Sequence, residues 1–131
     1  MQAPSNQLTH KGRNVAFVLL GTAALVLKPH YAGPLEAAVH AHAGNVAASF
    51  AVYFILSFVN LGTPFTRLRT AGLALLVVEA FELTDGFGLM ANVYDPWDLA
   101  ANVLGVALAV TVDGLAARLA ASRVALSRRG S

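Results

Sequence analysis

The chain has 131 residues, 56% of them hydrophobic and 12% charged, with a net charge of +2 and no cysteine. A soluble domain is usually about a quarter charged, so this chain has too little polar surface to coat a water-soluble globule. Disorder, a coiled coil, a large multidomain enzyme and cysteine-based redox or metal chemistry are excluded, which leaves a small all-α membrane protein with lipid as its solvent.

The first apolar run, residues 15–27, follows Lys11 and Arg13 and closes at Lys28-Pro29. Alone it is short for a span of about 20 residues. Counting residues 12–28, with both basic side chains snorkelling, makes it long enough. A signal peptide cleaved near Ala32 is the competing reading; the missing A-x-A site and three further spans speak against it. The second run covers residues 37–61 and ends at Gly62-Thr63-Pro64, a strong breaker. The third covers 68–84 and meets the turn cluster Asp85-Gly86-Phe87-Gly88. The fourth, 96–121, opens at Asp95-Pro96-Trp97, where proline and an acid suit a helix N-terminus. No segment alternates with period two, so strands are not expected. The expected architecture is one domain, residues 1–131, built as a polytopic bundle of four transmembrane helices.

Charge placement sets the orientation. Lys11 and Arg13 precede the first span, Arg67 and Arg69 lie between the second and third, and Arg118, Arg123, Arg128 and Arg129 cluster at the end. Only Lys28 falls on the other side. The positive-inside rule therefore predicts both termini in the cytoplasm. This placement at helix ends is also not the one-faced basic pattern of a nucleic-acid binder.

With that orientation the unusual polar residues share one depth. His40, His42 and Asn45 begin the second span, Glu79, Glu82 and Asp85 end the third, and Asp98 and Asn102 begin the fourth. Glu79 and Glu82 share a helix face at i,i+3. Asp98, Asn102 and Gly105 form a polar stripe ending in a glycine suited to close packing. His42, Asn45 and Ser49 form a comparable stripe, beside a face of mostly small residues at His40, Gly44, Ala47 and Ala51. An ionised carboxylate inside a span costs at least about 2.5–3.5 kcal/mol. No Lys or Arg stands between Arg69 and Arg118, so Glu79 must meet Lys28, a histidine or a bound cation, or else carry a proton.

Each residue also has a plainer reading. Asp98 can cap its helix, Asp85 can serve a turn, and Asn102 can bond between helices. His40 and His42 can sit wetted at the interface, and Trp97 and Tyr94 fit an interfacial aromatic belt. The basic tail fits a topology signal in contact with anionic lipid, and Asp113 is expected at the inner interface. No metal site is expected, since H-x-H alone is weak and H-E-x-x-H is absent. Nor is a cofactor: no dinucleotide, Walker-type or G-x-S-x-G motif occurs.

Glu79-Ala-Phe-Glu82 followed by Asp95-Pro-Trp-Asp98-Leu-Ala-Ala-Asn102-Val-Leu-Gly105 resembles the signature of VanZ-like membrane proteins, E-x-x-Q on one helix and D-x-x-x-N-x-x-G opening the next. His40, with Glu36 before it, resembles the family's D-K-x-x-H. Glu82 replaces the family's glutamine and Ala37 its lysine. The resemblance implies a small helical membrane protein of a family linked to glycopeptide-antibiotic resistance.

Three functions compete. The leading expectation is an inner-membrane, cell-envelope protein whose outer-leaflet pocket of Glu79, Glu82, Asp98, Asn102 and His40 takes a lipid headgroup or wall-precursor-type ligand, with Gly44 and Gly105 structural. The second is an accessory subunit that packs against other membrane subunits or a second copy of itself. The third is a small proton-coupled exporter, against which stands the lack of an inner counterpart to the polar cluster other than Asp113.

Overall fold

The computed structural model describes residues 4–59, 66–84 and 95–129. Helices α1 (Pro4–Leu27), α2 (Glu36–Val59), α3 (Arg67–Leu83) and α4 (Pro96–Arg129) carry the chain, with a short 3-10 turn at Lys28–His30. No strand occurs among the described residues. Gly62-Thr63-Pro64, the Asp85 to Gly88 turn cluster and Tyr94 lie outside them.

Local chemistry accounts for the starts. Thr66 caps α3 by accepting a hydrogen bond from the Arg69 amide, and Asp95 accepts one from the Trp97 amide at 3.0 Å, with Pro96 leading α4. Two helices run past their expected ends. α1 starts at Pro4 instead of about residue 12, and α4 continues to Arg129 instead of about 121. Beyond Gly114 the α4 sequence is rich in Ala, Leu and Arg and has no proline, so nothing in it stops a helix. Only α2 and α4 are long and apolar enough, among the described residues, to cross a membrane by length and composition.

α2 is the centre of the bundle. It packs against α1, α3 and α4; α4 also packs against α3, whereas the α1 backbone lies close to α2 and the 3-10 turn and meets α4 through the Arg13 side chain. Helices consecutive in the chain run in opposite directions, so α2 and α4 pack in parallel, and the bundle has two ends. The connector end gathers the end of α1, the start of α2, the end of α3 and the start of α4. The termini end gathers the reverse set. Between them lies a core of Phe50, Tyr53 and Phe54 from α2, Ala74 from α3, and Val106 and Ala109 from α4. Phe17 of α1 joins it, its ring centroid 4.6 Å from that of Phe54.

Gly105 sets the α2–α4 crossing. A Cβ there would lie 2.3 Å from the Val46 carbonyl oxygen and 2.9 Å from Ser49 Cβ, so the backbones meet only because the side chain is absent. Gly44 leaves room for the Lys28 ammonium, 3.1 Å from where its Cβ would stand.

Beside the apolar core, polar side chains are buried and many large apolar ones are exposed. Asn14, Ser49, Thr70, Glu82, Asn102 and Asp113 are buried, while Leu19, Leu76 and Leu104 are each about 60% exposed or more. Large apolar residues are thus spread over the outside, and polar ties cross the interior above and below the apolar core.

Candidate functional site at the connector end

The helices that open and close at the connector end bring their polar stripes together. The Ser49 hydroxyl of α2 lies 2.6 Å from Asn102 Oδ1 of α4 and 2.6 Å from the Asn45 carbonyl one turn back. With its oxygen so engaged, the Asn102 amide hydrogen-bonds the Glu79 carboxylate of α3 through its other side. Ser49, Asn102 and Glu79 thus form a chain of contacts across three helices. The second carboxylate oxygen of Glu79, Oε2, is buried with no hydrogen-bond partner.

Beside this chain lies a cavity of about 350 Å³ lined by Asn45, Ala48, Val78, Phe81, Glu82 and Asn102, among others. Glu82 is buried at 8% exposure in its wall. Nearer the end of the bundle, His42 Nδ1 pairs with Asp98 Oδ1 at 2.9 Å, both side chains partly buried. His42, Asp95 and Asp98 each offer a ligand atom within 4.8 Å of the others, a trio able to meet a divalent cation through nitrogen and oxygen donors. H-x-H spacing alone does not reveal it, because the carboxylates come from α4, more than fifty residues away.

The structure therefore joins Glu79 to Asn102 and sets Glu82 and Asn102 in one cavity wall. Asp98 meets His42. His40 stands apart: it is exposed, and its Nε2 lies 3.0 Å from the Tyr31 carbonyl oxygen in the connector. Successive residues turn by about 100° around a helix, so two histidines two residues apart face nearly opposite ways.

A second cluster lies at the termini end. Asp113 of α4 receives Arg13 Nη2 at 2.6 Å on one oxygen. Its other oxygen receives Arg67 Nε at 2.7 Å and the Tyr53 hydroxyl at 3.2 Å. Arg13 also donates to Asn14, whose side chain is buried. One carboxylate thus ties all four helices. From the sequence alone Asp113 is expected at the inner interface but is not paired with Arg13 and Arg67; Arg118, five residues on, already offers it a cation on its own helix.

No protein-family model matches the chain, and no curated protein or solved structure matches it.

Proposed function

We propose that the chain is a four-span, VanZ-like protein of the bacterial inner membrane, with both termini cytoplasmic. Its connector end faces the outer leaflet and takes a cationic or polar ligand of the lipid-headgroup or wall-precursor kind. The observation that carries this reading is the buried, unpartnered Oε2 of Glu79, held by Asn102 where no lysine or arginine of α3 or α4 can reach it. A buried acceptor left unmade costs about 1–3 kcal/mol, and a ligand donor removes that cost. The membrane reading is supported by the many large apolar side chains exposed on the outside, and by α2 and α4 being long and apolar enough to span.

The ligand reading is tested with Glu79→Gln and Asp98→Asn, expected to insert and fold normally yet impair the envelope phenotype, with Asn102→Ala milder. Wild-type phenotype in both acid variants refutes it. Orientation is tested in this cysteine-free chain with Ser122→Cys and His30→Cys. The second should label from outside and the first only after permeabilisation.

A second reading, an accessory subunit, is favoured by α1, whose backbone packs along α2 and which leaves Leu19, Leu20 and Val26 exposed. Purification in mild detergent separates the two: a stoichiometric larger complex supports the subunit, and a monomer or homodimer with retained lipid supports the pocket.

A further inference from the structure

Because the α1 and α4 backbones both pack on α2 without packing on each other, an apolar groove of about 490 Å³ opens between them, above the Arg13–Asp113 ion pair that joins them at the termini end. Its walls include Phe17 and Ala24 of α1, Ala43 and Phe50 of α2, and Leu108 and Val112 of α4, with no polar side chain anywhere along it. It lies on the other face of α2 from the cavity beside Asn102. Small residues on α1 and α2 make its floor and large ones on α4 its far wall.

The connector end of this groove carries a charge. Lys28 stands one turn beyond Ala24, and its ammonium lies over Gly44, next in sequence to Ala43. Lys28 forms no ion pair among the described residues. It is also the one basic residue of nine that opposes the orientation signal. From Phe17 to Lys28 the helix rises about 16 Å, close to half of the roughly 30 Å hydrocarbon core. An apolar channel one leaflet deep, with a cation at its mouth, has the dimensions and charge of a seat for an acidic lipid.

We propose that this groove holds one acyl chain of an anionic phospholipid, whose phosphate meets the Lys28 ammonium. The proposal rests on the membrane reading above but not on the acidic pocket. It assigns the two faces of α2 opposite ligands: donors or cations at Glu79, an anion at Lys28.

The test exposes the detergent-purified full chain to equal phosphatidylglycerol and phosphatidylcholine of identical acyl chains and counts bound lipid by native mass spectrometry. Phosphatidylglycerol is expected to be retained about fivefold over phosphatidylcholine, the effect of one lysine near an anionic lipid surface. Lys28→Gln should bring that preference close to one. Ala24→Phe and, from the opposite wall, Leu108→Trp should lower occupancy by both lipids. Glycerol 3-phosphate, which lacks the chains, should not be retained. Equal retention of the two lipids, a preference that survives Lys28→Gln, or unchanged occupancy in both filling variants overturns the proposal. A chain that stays in solution without detergent refutes the membrane reading itself, whereas an inserted chain with no lipid preference refutes only this seat.

Discussion

The two ends of the bundle both bury acids but satisfy them differently. At the termini end, Asp113 spends both oxygens on two guanidinium groups and a tyrosine hydroxyl drawn from three other helices. At the connector end, Asp98 meets one imidazole, and Glu79 meets an amide with one oxygen and nothing with the other. Asp98 and Asp113 are separated along α4 by about 22 Å, so a single helix carries one acid from each end. The first arrangement is a closed lock, and every acceptor in it is used for holding helices together. The second keeps acceptor capacity in reserve, as a binding site requires. On the proposed reading, stability and ligand recognition fall to opposite ends.

The largest expected effect is an acid-to-amide change at the lock. Asp113→Asn keeps the shape but leaves Arg13 and Arg67 facing a neutral group. Removing one partner of a buried ion pair costs about 3–5 kcal/mol. The Arg67 side chain is 49% exposed and can turn to water, which places the expected loss near the lower figure. Reversible unfolding in mixed micelles measures it, and a loss below about 0.5 kcal/mol would contradict the lock.

Gly105 tests the packing that sets the two acid levels against one another. Gly105→Ala forces a methyl against the Val46 carbonyl oxygen and is expected to cost about 1–3 kcal/mol. Nothing lies within 4 Å of a Cβ at Gly114. Gly114→Ala should therefore stabilise α4 by about 0.5–1 kcal/mol through helix propensity. Equal effects at the two positions would mean that the α2–α4 crossing is looser than its geometry.

Within the lock, the arginines should be unequal. Arg13 is 23% exposed and also holds Asn14, while Arg67 is about half exposed. Arg67→Gln is expected to cost at most about 1 kcal/mol, in the range of surface pairs, and Arg13→Gln more. The reverse order would place the main restraint on α3 instead of α1.

Helix number and the gathering of polar residues at one end of the bundle follow from composition and breakers, because apolar runs and Gly-Pro clusters are local signals. The i,i+4 stripes also carry information about facing: Ser49 and Asn102 stand on spans whose polar stripes meet. The stripe His42–Asn45–Ser49 already marks His42 as the histidine turned the same way as Ser49, whereas the family resemblance points to His40. In the structure His42 reaches Asp98 and His40 turns to the connector. The lock was much less legible. Its contacts join Asp113 to residues up to 100 positions away, and Arg13 and Arg67 already had a sufficient explanation as topology charges. The groove was illegible for a different reason. It exists because the α1 and α4 backbones stay apart along most of their length, and a missing contact between helices leaves no periodic trace in either one.

The smallest expected effect on stability is the same acid-to-amide change at the connector end. Glu79→Gln leaves a group of nearly equal size beside Asn102. Its carbonyl oxygen can accept the hydrogen bond that the carboxylate now accepts, and no guanidinium loses a partner. The buried Oε2 has no hydrogen bond to forfeit, and the new amide donors replace an acceptor that was already unsatisfied. With the contact to Asn102 kept and one unsatisfied polar atom exchanged for another, unfolding free energy should change by less than about 0.5 kcal/mol, the lower end of what one hydrogen bond contributes. Asp113→Asn and Glu79→Gln, measured in the same micelles, therefore form a matched pair whose costs should differ severalfold. A large loss at Glu79 would mean that its carboxylate already holds the helices together, and the end assigned here to recognition would be a second lock.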